Sequence, residues 1–344
     1  MSTITAPQTA ASDAQKAPFL TRIKEARLAI LRELKKLVVG QDDPINEVLI
    51  GMFAGGHLMI QGPPGTAKTL VIVSIAKVMN LEFKRIQFTP DLMPSDISGT
   101  EILEADPETG RRVTKFVKGP VFCNLVMADE INRTPPKTQA ALLEVMQEKQ
   151  VTISGKTHAL PKPFYVMATQ ISMEQEGTYP LPEAQQDRFM LSIMMNYLPD
   201  EQEMAVVRES TSSHKVTLEK VIDGAELADF VAAVRTVVLP PRLGQYIVDL
   251  TSATRPTVEG CPSFVKDYVA WGAGLRASQN IALASKSAAA LEGRGEVTFA
   301  DIKKVIVPVL RHRIGLSFRA EVDRVTIEDL ITKIVATIPQ PKEN

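Results

Sequence analysis

The octapeptide Gly62-Pro63-Pro64-Gly65-Thr66-Ala67-Lys68-Thr69 constrains this chain more than any other stretch. It follows the apolar run LMIQ, which reads as a strand, and leads into LVIVSIAKVM, which reads as a helix. A glycine-rich turn at a helix N-terminus gathers backbone N–H groups, and the helix dipole favours an anion there. In such a loop Gly62, Pro64, Gly65, Thr66 and Ala67 form the cradle, Lys68 reaches the β- and γ-phosphates, and the Thr69 hydroxyl holds Mg²⁺. The strict pattern has glycine where this chain has Ala67. Taken alone, the segment therefore leaves open a Gly-Pro turn that merely links strand to helix.

A second segment decides between them. Val126-Met127-Ala128-Asp129-Glu130 is an apolar strand ending in two adjacent carboxylates. Neighbouring residues at a strand end project differently, so the two can do different work. Asp129 can join the Mg²⁺ shell while Glu130 orients and polarises a water toward the γ-phosphate. In isolation the pair could be a solvated acidic turn; beside a phosphate loop it predicts binding and hydrolysis of a nucleoside triphosphate.

Composition removes several alternatives. The chain has 344 residues, 44% of them apolar, enough for two or three domains with a sizeable core. Lys plus Arg is 39 and Asp plus Glu is 40, a net charge of −1, which argues against binding nucleic acid or anionic membrane by bulk charge. Aromatic residues are only 5%, too few for a base-stacking or carbohydrate platform. Cys123 and Cys261 cannot build a disulfide framework, and Cys123 in the apolar run Val121–Ala128 reads as a small buried hydrophobe. His57, His158, His214 and His312 have no ligand spacing. No apolar run reaches a membrane span of about 18 residues, and no basic start with an apolar block is visible, so a soluble, reduced, cytoplasmic protein is expected.

Along the chain, residues 1 to about 18 read as a mobile tail, and Ile23, Ala26, Ile30, Leu34 and Leu37 form a helical stripe. Strands are expected at Leu58–Gln61, Phe83–Phe88, Leu125–Ala128, Phe164–Thr169 and Met190–Met194. Helices at Lys68–Met79, Pro135–Glu148 and Pro182–Phe189 alternate with them, which implies a mostly parallel sheet with helices on its faces. Ser98–Gly119 is polar, with a turn at Asp106–Gly110 and a basic patch at Arg111–Lys118. Gln150–Pro163 reads as a hairpin about Ser154-Gly155. Beyond a boundary near residue 198 helices dominate, at Glu201–Glu209, Glu226–Val238, Pro262–Glu292 and Phe299–Arg313. Thr298–Asp301 and Thr326–Asp329 read as helix N-caps.

These residues resemble the MoxR family of AAA+ ATPases from about Val39 to Ile314. The resemblance rests on Val39-Gly40-Gln41, on RIQFTPDLMPSDISGTE (85–101), on ADEINRTPPKTQAALLEVMQE (128–148), on EGTYPLPEAQQDRF (176–189) and on LRHRI (310–314). The family itself has alanine before the loop lysine, so Ala67 fits it. The resemblance implies an α/β fold: an AAA+ αβα nucleotide-binding core over 19–198, then a helical lid with C-terminal helices over 199–344. By the same resemblance Ser98–Gly119 corresponds to an insert in the core's second helix and Gln150–Pro163 to a later hairpin, and in the family's relatives both face the ring pore. Arg111, Arg112 and Lys118 could meet an acidic client there, or simply be solvated; His158 reads as a plain exposed residue.

The same resemblance implies a homo-oligomeric ring, usually hexameric, with ATP and Mg²⁺ between neighbours. Arg188 matches the family's arginine finger, which supplies positive charge to the next subunit's γ-phosphate, an effect on the order of 10³–10⁵ in rate. From the residues alone it could instead be a surface partner of Asp187 or Glu183. Arg276 in WGAGLRAS matches the lid's nucleotide-sensing arginine, although the family more often has Ser-Pro where this chain has Gly274-Leu275. Val39 and Gly40 match the segment flanking adenine, and Asn132 and Arg133 lie near the catalytic edge. One departure stands out. The family usually continues Ala-Thr-Gln with asparagine, which helps place the attacking water, and this chain reads Ala168-Thr169-Gln170-Ile171. Isoleucine has no hydrogen-bonding group. Either Gln170 or Thr169 substitutes, or turnover is slow; reduced but real hydrolysis is expected, and asparagine at 171 should raise kcat.

Three functions follow as expectations. The first is a remodelling motor, chaperone-like, acting on a client protein complex with a separate partner carrying a von Willebrand factor A domain. The second is a nucleotide-gated scaffold with little turnover, favoured by Ile171 and disfavoured by Glu130 and Arg188. The third, a DNA-directed motor, is disfavoured by the charge balance, so nucleic acid is not an expected partner.

Overall fold

The computed structural model describes residues 13–105, 112–171, 177–210 and 216–341. Helices α1 (Asp13–Leu34) and α2 (Asp42–Phe53) lead into β1 (Leu58–Gln61), α3 (Lys68–Val78) and β2 (Phe83–Gln87). The short α4 (Pro94–Ser98) opens into the antiparallel pair β3 (Gly99–Ala105) and β4 (Arg112–Lys118). Next come β5 (Leu125–Asp129), α5 (Pro136–Glu148), the hairpin β6 (Gln150–Ile153) and β7 (Lys156–Ala159), then β8 (Tyr165–Thr169), α6 (Glu183–Gln186) and β9 (Leu191–Met194). The rest is mainly helical: α7 (Asp200–Ser210), α8 (Gly224–Arg235), α9 (Pro241–Ala253), α10 (Ser263–Tyr268), β10 (Val269–Trp271), α11 (Leu275–Leu291), α12 (Phe299–Leu310), β11 (Gly315–Leu316), α13 (Phe318–Val322) and α14 (Ile327–Thr337).

The central sheet is five-stranded, in the order β2-β5-β8-β1-β9, with every pair parallel. Strand periodicity divides its side chains between two cores. Leu58, Ile60, Leu125, Met127, Tyr165 and Met167 enter one apolar cluster; Met59, Val126, Ala128, Val166 and Ala168 enter the other. The first cluster also takes the buried stripe of α1 and residues of α2, α3, α8, α9, α11, α12 and α14. The second lies under α5 and the β6–β7 hairpin. His57 is a core histidine, its two ring nitrogens bonded to Met146 O (3.1 Å) and Val166 N (3.0 Å), and burial lowers its pKa to about 4.

The five expected strands are all present to within a residue at each end. Elsewhere the structure corrects the sequence reading. The first helix already begins at Asp13, through Ala14, Gln15, Lys16 and Ala17, all strong helix formers, so the expected tail extends too far; residues 1–12 lie outside the described residues. Pro182–Phe189 contributes one helical turn only, Glu183–Gln186. The expected helix 262–292 is broken by β10 and the Gly272-Ala273-Gly274 turn, since Val269 and Trp271 suit a strand and glycine ends helices. Helix α9 was not foreseen. Ser98–Gly119 forms the β3–β4 hairpin, whose turn at Asp106–Gly110 and Arg111 lie outside the described residues. The 150–163 hairpin is found, turning at Ser154-Gly155. His158 is no plain exposed residue: its ring stacks on Phe116 at 4.3 Å, with Phe122 edge-on to Phe116 at 5.6 Å. Thr298 and Thr326 cap α12 and α14 as the spacing predicts, with Thr326 Oγ1 accepting from Asp329 N at 3.1 Å.

Candidate active site

Because β8 lies between β1 and β5, the segments leaving the C-terminal ends of these three strands converge. In open α/β sheets this is the edge where ligands bind. A cleft of about 960 Å³ opens there, lined by the loop Gln61–Leu70, by Asp129 and Glu130, by Thr169, Gln170 and Ile171, and by Met194. All the residues expected to hold phosphate and metal therefore share one cavity.

The loop's geometry suits a phosphate. Gly65 has φ +82°, and a Cβ there would meet nothing within 4 Å, so only a bare backbone faces the open cleft. Gly62 has φ +141°, and a Cβ would lie 2.0 Å from Met195 O, which ties the loop to the end of β9. Ala67 takes the left-handed conformation (φ 65°) at the N-cap of α3, at some conformational cost for a residue with a Cβ. Lys68 folds over the loop, Nζ donating to Gly62 O (2.9 Å) and Pro63 O (2.6 Å). Partial burial lowers its pKa, against the pull of Asp129 and Glu130.

The acidic pair is held by Thr169 and Arg133, both singled out in the sequence, and by Arg85 and Gln87, which were not. Thr169 Oγ1 donates to Asp129 Oδ1 at 2.6 Å and accepts from Glu130 N at 2.9 Å. Arg85 Nε donates to Asp129 Oδ2 at 3.0 Å. Glu130 has φ 56°, and its Oε2 accepts from Arg133 Nη1 (2.9 Å) and Gln87 Nε2 (3.1 Å). Arg85 and Gln87 alternate along β2, and the register sets Gln87 beside Asp129. That pairing becomes visible only once the strand order is known. Among the described residues no group of three or more His, Cys, Asp and Glu could hold a metal alone. The donor set fits Mg²⁺ only in the form expected, with Thr69 and Asp129 completing a shell supplied by phosphate and water.

The remaining expected residues do not line this cleft. Gly40 has φ +73° and packs under Leu198 and Gln202, where a Cβ would lie 2.0 Å from Gln202 Oε1. Val39 precedes it, and Gln41 Nε2 donates to Asn196 O at 3.1 Å. Arg188 donates from Nη1 to Leu143 O. It pairs with neither Glu183 nor Asp187, because Asp187 is taken by Arg276 Nη1 at 2.8 Å and Arg313 Nε at 2.7 Å. Arg276 thus stands beside Arg188's neighbour and not at the loop. Cys123 is buried, and its thiol is pushed up to about 11 by desolvation, in keeping with a structural role.

Two family models match the chain: the ATPase family associated with various cellular activities (AAA) over residues 57–191, and the AAA lid domain over residues 263–334. The chain is 40% identical to chaperone MoxR1 of Mycobacterium tuberculosis, over 91% of this chain and 81% of that one. It is 30% identical to protein MoxR of Methylorubrum extorquens, over 94% and 97%. Among solved structures, a protein of Cytophaga hutchinsonii superposes with a TM-score of 0.85 at 41% identity, covering 96% of this chain and 98% of that one.

Proposed function

Because the chain belongs to the MoxR family of AAA+ ATPases, we propose that it hydrolyses ATP in the β1–β5–β8 cleft to drive remodelling of a client protein complex. The observation that carries this is the convergence of Gly62–Thr69, Asp129 and Glu130 on one cavity. The loop's N–H groups bind the phosphates, and Lys68 Nζ swings from the Gly62 and Pro63 carbonyls to the β- and γ-oxygens. Thr69 and Asp129 hold Mg²⁺, which when bound neutralises phosphate charge. Glu130, oriented by Gln87 and Arg133, accepts the proton of the attacking water.

The proposal includes a ring, with six copies as the expected number. Arg188 lies outside its own chain's cleft, which supports a role at a neighbour's phosphate. Val39 and Gly40 flank the adenine, and Arg276 exchanges Asp187 for the nucleotide's phosphates when the lid closes. The division near residue 198, a partner with a von Willebrand factor A domain and work in the cytoplasm belong to the same reading; the free thiols of Cys123 and Cys261 suit a reducing compartment. Among the described residues no helix is long and apolar enough to cross a membrane, and nucleic acid has no part in the proposal.

The test is ATPase rate against protein concentration for the parent and Arg188→Ala. Specific activity that climbs with concentration and collapses in the variant supports a finger acting in trans. Ile171 favours a second reading, a nucleotide-gated scaffold. Background rates in both proteins, with ATP still tightly bound, would establish it.

A further inference from the structure

The family resemblance leads one to expect a hydrogen-bonding side chain after Gln170, and there this chain carries isoleucine, which lines the cleft with Thr169 and Gln170. The structure lets the groups at the end of β8 be counted one by one. Thr169 is nearly fully buried, and its single hydroxyl proton is committed to Asp129 Oδ1 at 2.6 Å. Ile171 offers no side-chain donor. Its backbone is also engaged: Ile171 N donates to Asn132 Oδ1 at 3.1 Å, and Asn132 Nδ2 donates back to Ile171 O at 3.0 Å. Asn132, 1% exposed, thus pins the strand end from the acidic side of the cleft.

Gln170 differs from both. Its Oε1 accepts from Gln61 Nε2 at 2.8 Å, and Gln61 is the last residue of β1, directly before the phosphate loop. A primary amide is planar, so fixing its oxygen fixes the direction of its NH₂ group. The Nε2 of Gln170 makes no hydrogen bond with any described residue, and the residue lines the cleft between the phosphate loop and Asp129-Glu130. We infer that Gln170 is a catalytic residue of this chain, its Nε2 donating to the attacking water or the γ-phosphate oxygen beside it, with Gln61 as the positioning residue that aims it. This rests on the reading of the cleft as a site of ATP hydrolysis. The missing side chain at 171 is thereby answered one residue earlier, from the other bank of the cleft.

The experiment compares steady-state ATP hydrolysis and binding of a fluorescent ATP analogue in the parent, Gln170→Ala, Gln170→Glu, Gln61→Leu, Ile171→Asn and the double variant Gln170→Ala/Ile171→Asn. Losing a preorganised donor should lower kcat on the order of 10²-fold in Gln170→Ala, with analogue affinity nearly unchanged. Gln170→Glu keeps the shape and removes the donor, so it should lose a similar factor even if the alanine variant folds poorly. Gln61→Leu should lower kcat by less, since it frees the amide without deleting it. The double variant should regain about tenfold or more over Gln170→Ala, while Ile171→Asn in the otherwise parental chain should gain clearly less; equal gains in the two backgrounds would show that the two side chains act independently and overturn the inference. Parental kcat in both Gln170 variants overturns the inference and leaves the ATPase reading standing. A parent no faster than Glu130→Gln overturns both.

Discussion

Arg313 commits all five of its N–H donors, and Asp187 takes the one on Nε at 2.7 Å. The other four reach the carbonyls of Val309, Asp187, Phe189 and Met190. Its side chain is 1% exposed, and burial lowers its pKa to about 10 against the pull of Asp187. With His312 Nε2 on Phe189 O at 3.0 Å, the end of α12 grips the turn that carries Arg188. Lysine is a point charge without the fork. Arg313→Lys should therefore cost about 3–5 kcal/mol, read as a fall in the chemical-denaturation midpoint. A loss below about 1 kcal/mol would show that the grip is dispensable.

The phosphate loop predicts opposite effects for two small substitutions. Gly65→Ala meets no neighbour, so it should cost only about 1–3 kcal/mol of backbone strain. Its methyl group would nevertheless intrude where phosphate approaches, and ATP affinity should fall at least tenfold by calorimetry. Ala67→Gly relieves the left-handed conformation and should stabilise by up to about 1 kcal/mol with affinity retained. Equal affinities for the two variants would contradict this account of the loop.

The stack of Phe116 on His158 joins the β3–β4 hairpin to the β6–β7 hairpin. Aromatic pairs of this geometry are worth about 0.5–1.5 kcal/mol beyond their buried area. Phe116→Ala should accelerate amide hydrogen exchange across Lys156–Ala159 roughly in proportion, by about 2–10-fold. Unchanged exchange there would mean that the hairpins move independently.

His57 makes a pH prediction. Its folded pKa of about 4 lies below the ordinary imidazole value of about 6.5, so between these limits the unfolded chain binds a proton that the folded chain refuses. Stability therefore falls as pH drops from about 6.5 to 4, by about 3 kcal/mol from this residue. Glu47, raised to about 7 by burial, acts in the opposite sense, so the comparison is between parent and His57→Gln. The difference in stability between the two should narrow steadily as pH falls; a constant difference would contradict the assignment.

The nucleotide cleft was legible because its parts are local. A strand, a glycine turn and a helix start are contiguous at 58–79, and a strand ending in Asp129-Glu130 announces itself. The partners were not legible, because they come from sheet order. Arg85 meets Asp129 and Gln87 meets Glu130 only through the β2–β5 pairing, and Gln61 meets Gln170 only through the β1–β8 pairing. LRHRI was visible as a motif, yet the role of Arg313 depends on a carboxylate more than a hundred positions earlier. The break in 262–292 was missed because Val269-Ala270-Trp271 continues an apolar pattern whose strand partner, Gly315–Leu316, lies on the far side of α12.

The most direct test of the central claim is Glu130→Gln, assayed for ATP binding and hydrolysis together. The substitution preserves size, and its amide oxygen can still accept from Arg133 and Gln87, while the carboxylate proposed to accept the water's proton is gone. The account predicts ATP bound at least as tightly as by the parent, with turnover reduced to background. A variant that hydrolyses ATP as fast as the parent would contradict it.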